Sequence, residues 1–225
     1  MKPTAPRIIR WHLVAVTTLV TGACCAAPES PDAKTSAVLS VTPIFGELFA
    51  TEMPLGFKLQ AEVTQGATYR RSIILESDPD RGPWTQRFLV QGTAGQGAVA
   101  GVSPAAYAMQ IAASFQKACP STFMGSRVLE GRIRTGQPAY TMVIACGSHT
   151  LTTNSQPTSE ITLVSVIKGD KNVYSVQWSD RAAPIDKAPT PDRLLIQQRL
   201  RIMTSMLVCA PVEGETAPYP SCTSR

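Results

Sequence analysis

Short strand-like runs separated by hairpin-sized turns constrain the fold of this chain more than any other feature. Seven runs have the length and composition of β-strands: residues 56–63, 69–77, 84–92, 127–134, 139–146, 161–169 and 173–179. The turns at Gly136–Pro138 and Gly169–Lys171 are short enough to favour antiparallel neighbours. We therefore expect the last four runs to form a meander.

Two helices interrupt this pattern. The first begins with Ser103 as N-cap and Pro104 at its first position, and it ends at Cys119-Pro120. The second is predicted from Thr190-Pro191 to about Val208, with Cys209 closing it. Its apolar stripe consists of Leu194, Leu195, Ile202, Met203, Met206 and Leu207. Together the runs predict an α+β domain: an antiparallel β-sheet of about six to seven strands with two main helices packed on it.

The first 27 residues have the layout of a cleaved export signal. Lys2, Arg7 and Arg10 precede an apolar stretch over residues 11–21, and small residues follow. The stretch is shorter than the ~20 residues of a membrane span, so an uncleaved anchor is the less favoured alternative. Without this segment 18 basic residues face 16 acidic ones, and the formal charge falls from +5 to +2. That balance argues against a nucleic-acid partner.

Two processing sites compete at the end of the signal. Cys24 follows the small residue Ala23, as an acylated cysteine does in a bacterial lipoprotein. Cleavage after Ala26 or Ala27 would instead release an unanchored protein. Either site leads to the periplasm or cell envelope, and membrane contact is expected only through a lipid at Cys24.

Four cysteines remain beyond the signal. In an exported chain an even set predicts disulfides. The pairing of Cys119 with Cys146 and of Cys209 with Cys222 needs the simplest topology, since each pair joins successive elements. The second bond would tie the Pro-rich C-terminal tail, residues 210–225, to the domain. Spacings of 27, 63 and 13 residues do not fit a zinc site.

These observations divide the chain into four parts. Residues 1–27 are the signal peptide, and residues 28–54 are a tether and an N-terminal segment of ambiguous period. A single α+β domain is expected over residues 55–209, followed by the tail.

The sequence identifies no catalytic residue, cofactor or metal site. His149 lies three residues after Cys146, but a disulfide removes the thiol, and neighbours at a strand end seldom converge. We therefore expect His149 to be a solvated loop residue. Gly92–Gly101 lacks the Gly-Lys-Ser/Thr of a phosphate loop and is expected to be a flexible connection. The acidic turn around Asp78 and Asp80 lacks the ligands of a calcium loop and is expected to be solvated.

Two pairs of arginines are the densest basic spots. Arg70 and Arg71 are adjacent, whereas Arg132 and Arg134 have the spacing that places both on one face of a strand. A solvated sheet face is the favoured interpretation, and a patch for an acidic partner is the alternative.

Several short motifs carry a family resemblance. They are Gly56-Phe57-Lys58, Trp84 after a polar turn, Ala118-Cys119-Pro120, Ala145-Cys146, Gly169, Tyr174-Ser175-Val176 and Val208-Cys209. In these motifs the chain resembles a group of uncharacterised exported proteins and lipoproteins of proteobacteria. Its order of elements is also similar to the PsbP and Mog1 type of α/β sandwich. The resemblance implies a non-enzymatic interaction domain and transfers no site residue.

The leading hypothesis from the sequence is an exported cell-envelope protein whose domain binds another protein, as an immunity or secretion-associated factor. The competing hypothesis is a periplasmic hydrolase whose site is concealed by sequence order. Polar groups that converge in a pocket would favour the hydrolase.

Overall fold

A computed structural model describes residues 37–150 and 156–223. Its strands are β1 Ala37–Ile44, β2 Glu47–Pro54, β3 Phe57–Gln65, β4 Thr68–Leu75, β5 Gln86–Thr93, β6 Phe123–Arg132, β7 Pro138–His149, β8 Thr158–Lys168, β9 Val173–Ala182 and β10 Leu207–Cys209. Its helices are α1 Pro104–Ala118, α2 Arg193–Met203 and the short α3 Pro220–Thr223, with a 3₁₀ turn at Gln96–Ala98. Within this part of the chain, no helix combines the length and apolar character that crossing a bilayer requires. The signal peptide and Cys24 lie outside the described residues.

Seven strands form one antiparallel sheet in the order β3-β4-β5-β9-β8-β7-β6. Strands β3 to β5 make one meander and strands β6 to β9 make another. The two meanders are joined by the ladder between β5 and β9, which runs from Gln86–Asp180 to Thr93–Val173. The predicted antiparallel sheet with two main helices is confirmed, as is the meander of the last four strands.

Alternating side chains give the sheet two apolar faces. On one face Ala108 and Ala112 of α1 pack against a cluster that includes Ile144 and Val164. On the opposite face the main core joins Trp178 and other sheet residues to Met203 of α2. Because period-two alternation sends apolar residues to both sides, the sheet needs a covering layer on each face.

A smaller sheet in the order β1-β2-β10 lies over the second face. Residues 37–54, which the sequence assigned to the N-terminal segment, supply its hairpin β1–β2. Phe49 of β2 packs into the main core, whereas Leu48 and Ala50 pack into a separate cluster that contains Cys209 and Cys222. Strand β2 is therefore buried on both sides, and this explains why its sequence shows no clear alternation.

The second helix differs from its prediction at both ends. Its N-cap is Asp192, whose Oδ1 accepts hydrogen bonds from the backbone N–H groups of Leu194 and Leu195. The helix ends at Met203, and β10 then pairs with β2. The predicted end at Val208 is wrong because consecutive apolar residues from Met206 onward suit a buried strand as well as a helix face.

Two disulfides are present, Cys119–Cys146 and Cys209–Cys222. The first joins the end of α1 to β7, and the second joins β10 to α3 in the tail. This is the pairing that the simplest topology favoured, although Cys209 closes a strand and not a helix.

Candidate functional site

A groove of about 560 Å³ runs between the edge strand β6 and helix α2. We call it the α2 groove. Its apolar lining consists of Met124, Val128, Val143, Pro191, Ile196 and Leu200. Arg127, Arg193 and Gln197 are exposed at its rim. The groove is therefore an apolar slot with basic and polar borders.

The α2 groove follows from two ordinary periodicities. Met124 and Val128 lie on the face of β6 that is turned toward α2, and Val128 contacts the main core. Ile196 and Leu200 are one helical turn apart, so they share the face of α2 that is turned toward the sheet. Both are only half-buried, because β6 is the last strand and no further strand of the described residues fills the space beside it.

A second groove of about 240 Å³ lies on the other face of β6, against α1. We call it the α1 groove. Its lining includes Met109, Ala113, Phe123, Gly125 and Tyr140. Ser126 and Arg127 border both grooves, so the first half of β6 separates them.

The charge around these grooves is basic. The α2 groove has two arginines in its lining and the α1 groove has one, and neither lining contains an aspartate or glutamate. Arg127 Nη1 lies 3.1 Å from Glu130 Oε2, and both side chains are more than half exposed. Such an exposed pair contributes little stability, so Arg127 is available to another carboxylate.

The prediction for His149 is wrong, because the imidazole is buried. Its Nε2 lies 3.3 Å from Glu160 Oε2, and Arg181 Nε donates to the same oxygen at 2.9 Å. Burial acts to raise the pKa of Glu160, but the adjacent His149 side chain and the charge of Arg181 outweigh it and lower the pKa to about 2. Phe115 of α1 lies over His149 with a ring separation of 6.3 Å. This enclosed arrangement stabilises a charge and leaves His149 without the free approach that a general base needs.

Two arginines from this region flank Trp84. The guanidinium of Arg181 lies 3.4 Å from the ring centroid, and that of Arg87 lies 4.4 Å from it. Burial lowers the pKa of Arg87 to about 10, which leaves the side chain charged at neutral pH. The sequence shows Trp84 and Arg181 almost a hundred residues apart, so only the β5–β9 ladder reveals this stack.

Glu47 at the start of β2 is a second buried carboxylate. It accepts hydrogen bonds from the backbone N–H groups of Asp170, Lys171 and Asn172 at 3.0, 3.0 and 3.2 Å. The Asn172 side-chain amide donates at 2.8 Å, and the hydroxyl of Tyr174 donates at 2.9 Å. Burial raises the pKa of Tyr174, so the hydroxyl keeps its proton and remains a donor. The Glu47 carboxylate thus accepts five hydrogen bonds from residues of the β8–β9 turn and the start of β9, and its role is structural.

Gly92 and Gly97 of the glycine-rich segment are buried in the fold, whereas residues 98–101 are exposed. Gly92 lies within β5, and Gly97 packs against the β8–β9 turn. A Cβ at Gly97 would lie 2.5 Å from the backbone N of Asn172 and the backbone O of Gly169. Close backbone approach therefore explains this glycine, and phosphate binding is not needed to explain it.

The acidic turn also has a structural role. Asp78 is buried, and its carboxylate accepts from the backbone N–H and the hydroxyl of Thr85, each at 2.8 Å. Asp80 remains exposed and pairs with Lys58 at 2.8 Å. Among residues 37–150 and 156–223, no three His, Cys, Asp or Glu side chains come together as a metal site would require.

The two arginine pairs do not form one patch. Arg71 faces the small sheet and donates to the hydroxyls of Ser40 and Thr42 at 3.2 and 3.3 Å. Arg132 ends β6, while Arg134 lies in the following turn, so the two do not share a strand face. Arg127 and Arg193 are the residues that the sequence did not single out. Arg127 lies beside the bulge of β6, which is the strand with the most exposed residues. Its position next to α2 depends on tertiary packing and is not visible in the sequence.

The fold and the grooves define a disulfide-linked α+β domain with two apolar grooves beside an edge strand. No family model matches the chain, and no curated protein matches it. Similar solved structures include the Ran-binding protein Mog1p of Saccharomyces cerevisiae, with a TM-score of 0.46 and 9% identity over 76% of this chain and 96% of that chain. A Mog1 mutant matches with a TM-score of 0.47, 9% identity and the same coverage.

A third similar structure is LpqN of Mycobacterium tuberculosis, described as involved in cell envelope biogenesis. It matches with a TM-score of 0.42 and 12% identity over 77% of this chain and 91% of that chain. The weak likeness to the Mog1 type that the order of elements suggested is thus present in the structure as well. The TM-scores of these three structures are below 0.5, so the likeness is no basis for inferring function.

Proposed function

We propose that the protein is an exported cell-envelope protein that binds another protein through the α2 groove. The observation that carries the proposal is the groove itself, an apolar slot of about 560 Å³ beside an edge strand that has no second partner strand in the described residues. Solvent-exposed apolar clefts with polar borders are typical of protein interaction sites.

Export is supported by the N-terminal segment and by the cysteines. Residues 1–27 have the three-part layout of a signal peptide. Two disulfides are typical of proteins in oxidising compartments such as the periplasm. Lipidation at Cys24 would hold the domain at a membrane surface.

Two specific roles fit a small binding domain in the envelope: an immunity factor that blocks a toxin, and a factor associated with secretion. A toxin gene beside the gene for this protein would select the immunity role. The hydrolase alternative would use Ser, Asp or Glu residues, and it has less support because the buried carboxylates Glu47, Asp78 and Glu160 are each bonded to groups of the fold itself.

The α2 groove offers a matched pair of positions for a test. Gln197 lines the groove, whereas its neighbour Gln198 does not, and both side chains are exposed. The full chain carrying a photo-crosslinking amino acid at position 197 or 198 is expressed in its natural host and irradiated. We expect one discrete protein adduct from position 197 and none of that mass from position 198.

The adduct supports the proposal only if binding is then reproduced with purified proteins. The cross-linked protein, identified by mass spectrometry, should bind the wild type and Gln198→Trp with equal affinity. Its affinity for Gln197→Trp should fall at least about tenfold, since the indole occupies the slot. Equal adducts from both positions, or equal binding to both variants, would show that the groove is not the binding site.

A further inference from the structure

We propose that the partner binds by adding a β-strand to β6 along residues 123–127, with alternate side chains in the α2 groove and the α1 groove and with acidic residues beside Arg127. This inference rests on the proposed function and names the form of the partner segment. The juxtaposition that carries it is one unpaired strand edge with an apolar groove on each of its faces.

The first step concerns the backbone of β6. In the described residues β6 pairs with β7 on one side and with no strand on the other. An edge strand presents unpaired N–H and C=O groups that can accept the backbone of an extended segment. Gly125, Ser126 and Arg127 are also exposed, so this edge of β6 is accessible to an eighth strand.

The second step concerns the side chains of such a strand. Phe123 and Gly125 of β6 border the α1 groove, while Met124 and Val128 border the α2 groove. Neighbouring strands keep the same alternation, so successive side chains of an added strand point into opposite grooves. A segment bound in this way fills both grooves at once.

The bulge in β6 limits the length of the added strand. The register between β6 and β7 shifts between Arg127 and Leu129. Bulges and charged residues are common means of blocking edge pairing, and Glu130 lies just beyond the shift. Regular pairing is therefore available along residues 123–127, and the added strand has about five residues there.

The third step concerns charge. Arg127 borders both grooves and Arg193 borders the α2 groove, without a carboxylate in either lining. The pair between Arg127 and Glu130 is exposed and readily exchanged. The charge of the surface thus selects an acidic segment with apolar residues at alternating positions, supplied by a partner protein.

The test uses a random ten-residue peptide library displayed on phage and selected on the full chain. Selected peptides are then made synthetically and measured against two pairs of exposed-site variants. Ala113→Trp blocks the α1 groove, and Ser114→Trp is its control. Gln197→Trp blocks the α2 groove, and Gln198→Trp is its control. Circular dichroism and thermal unfolding are measured for all four variants to check that each one folds.

We expect selected peptides to carry acidic residues and alternating apolar residues. Their affinity should fall at least about tenfold for both Ala113→Trp and Gln197→Trp, and change less than about twofold for the controls. Amide hydrogen exchange along residues 123–127 should slow in the peptide complex, because the outward N–H groups of β6 become bonded.

The outcomes separate the two proposals. Affinity lost for Gln197→Trp but kept for Ala113→Trp would retain the α2 groove as a binding site and refute strand addition. Selected peptides with apolar residues three and four positions apart would show that a helix binds the α2 groove. This result would also retain the groove as a binding site and refute strand addition. Concentration-dependent dimerisation of the peptide-free protein, abolished by both groove variants, would show that a second copy is the occupant and would overturn the inference. If no selected peptide depends on either groove, strand addition is refuted, while the adduct from position 197 still tests the proposed function.

Discussion

Glu160 is a buried charge whose partners come from two other positions in the sheet. His149 at the end of β7 and Arg181 of β9 both reach Oε2 of Glu160. They hold its pKa at about 2 against the opposing effect of burial. An unfolded glutamate has a pKa of about 4.3, so the folded state keeps this carboxylate charged to lower pH than the unfolded state does.

This difference predicts a loss of stability in acid. A lowered pKa contributes stability that is fully present above about pH 4.3 and is lost as the pH falls toward 2, with a total on the order of 3 kcal/mol. Urea unfolding between pH 7 and pH 2 measures it. Glu160→Gln should be less stable than the wild type at pH 7 and should show a flatter decline below pH 5.

Glu76→Gln is the control for that experiment, because Glu76 is an exposed residue of the acidic turn. Its unfolding free energy should follow the wild-type curve. A Glu160→Gln variant with the same pH dependence as the wild type would show that Glu160 is not the group responsible.

The environment of His149 could not be read from neighbouring residues. The sequence places a thiol and a hydroxyl beside it, whereas its partner Glu160 is on the next strand. Only the register of β7 against β8, which pairs Cys146 with Glu160 and His149 with Thr158, brings the carboxylate to the imidazole. Arg127 and Arg193 escaped prediction for the same reason, since the groove between them exists only after α2 packs beside β6.

At the scale of elements, Glu47 connects the small sheet to the turn between β8 and β9. Replacing it by alanine removes the side-chain acceptor of three backbone N–H groups, and it leaves the Asn172 amide and the Tyr174 hydroxyl with their longer contacts to backbone carbonyls at 3.3–3.5 Å. We expect Glu47→Ala to lower the unfolding free energy by roughly 3 kcal/mol or more, because buried donors without acceptors are costly. Urea unfolding at pH 7 measures the change.

Glu52→Ala provides the matched comparison on the same strand. Glu52 is half-buried near the other end of β2. The Glu52→Ala substitution should lower the unfolding free energy by less than about 1 kcal/mol, as is usual for a side chain outside a buried network. Similar losses for the two variants would mean that the bonds of Glu47 contribute little net stability.

Elements with clear turns and periods were predictable from the sequence. Gly and Pro turns separate the seven strands of the main sheet, and Ser103 with Pro104 begins α1, as the observed N-cap shows. The small sheet was not predictable, because β2 is buried on both sides and β10 has only three residues. Consecutive apolar residues at these positions fit a helix and a strand equally well.

At the scale of the whole molecule, the Cys209–Cys222 disulfide ties the C-terminal tail to the small sheet. The bonded cysteines are 13 residues apart. Removing a cross-link over a loop of this size is expected to cost about 3 kcal/mol in the chain-entropy model. The double variant Cys209→Ala/Cys222→Ala should lose about this amount and should be cut by proteases within residues 210–221.

Intact mass after brief proteolysis shows whether the tail alone is lost. The wild type under non-reducing conditions should retain its tail. A double variant that keeps its tail under the same digestion would show that packing of Cys222 and its neighbours holds the tail without a covalent bond.

The single ladder between β5 and β9 also determines the order in which the main sheet can assemble. Every other neighbour in that sheet is joined along the chain by a turn or loop, so each meander can form from its own hairpins. The β5–β9 pairs instead join residues 80 positions apart at Thr93–Val173 and 94 apart at Gln86–Asp180. Closing such distant segments is slow. We therefore expect Trp84, Arg181 and the core around Trp178 to come together late in folding, when the two half-sheets pair along β5 and β9.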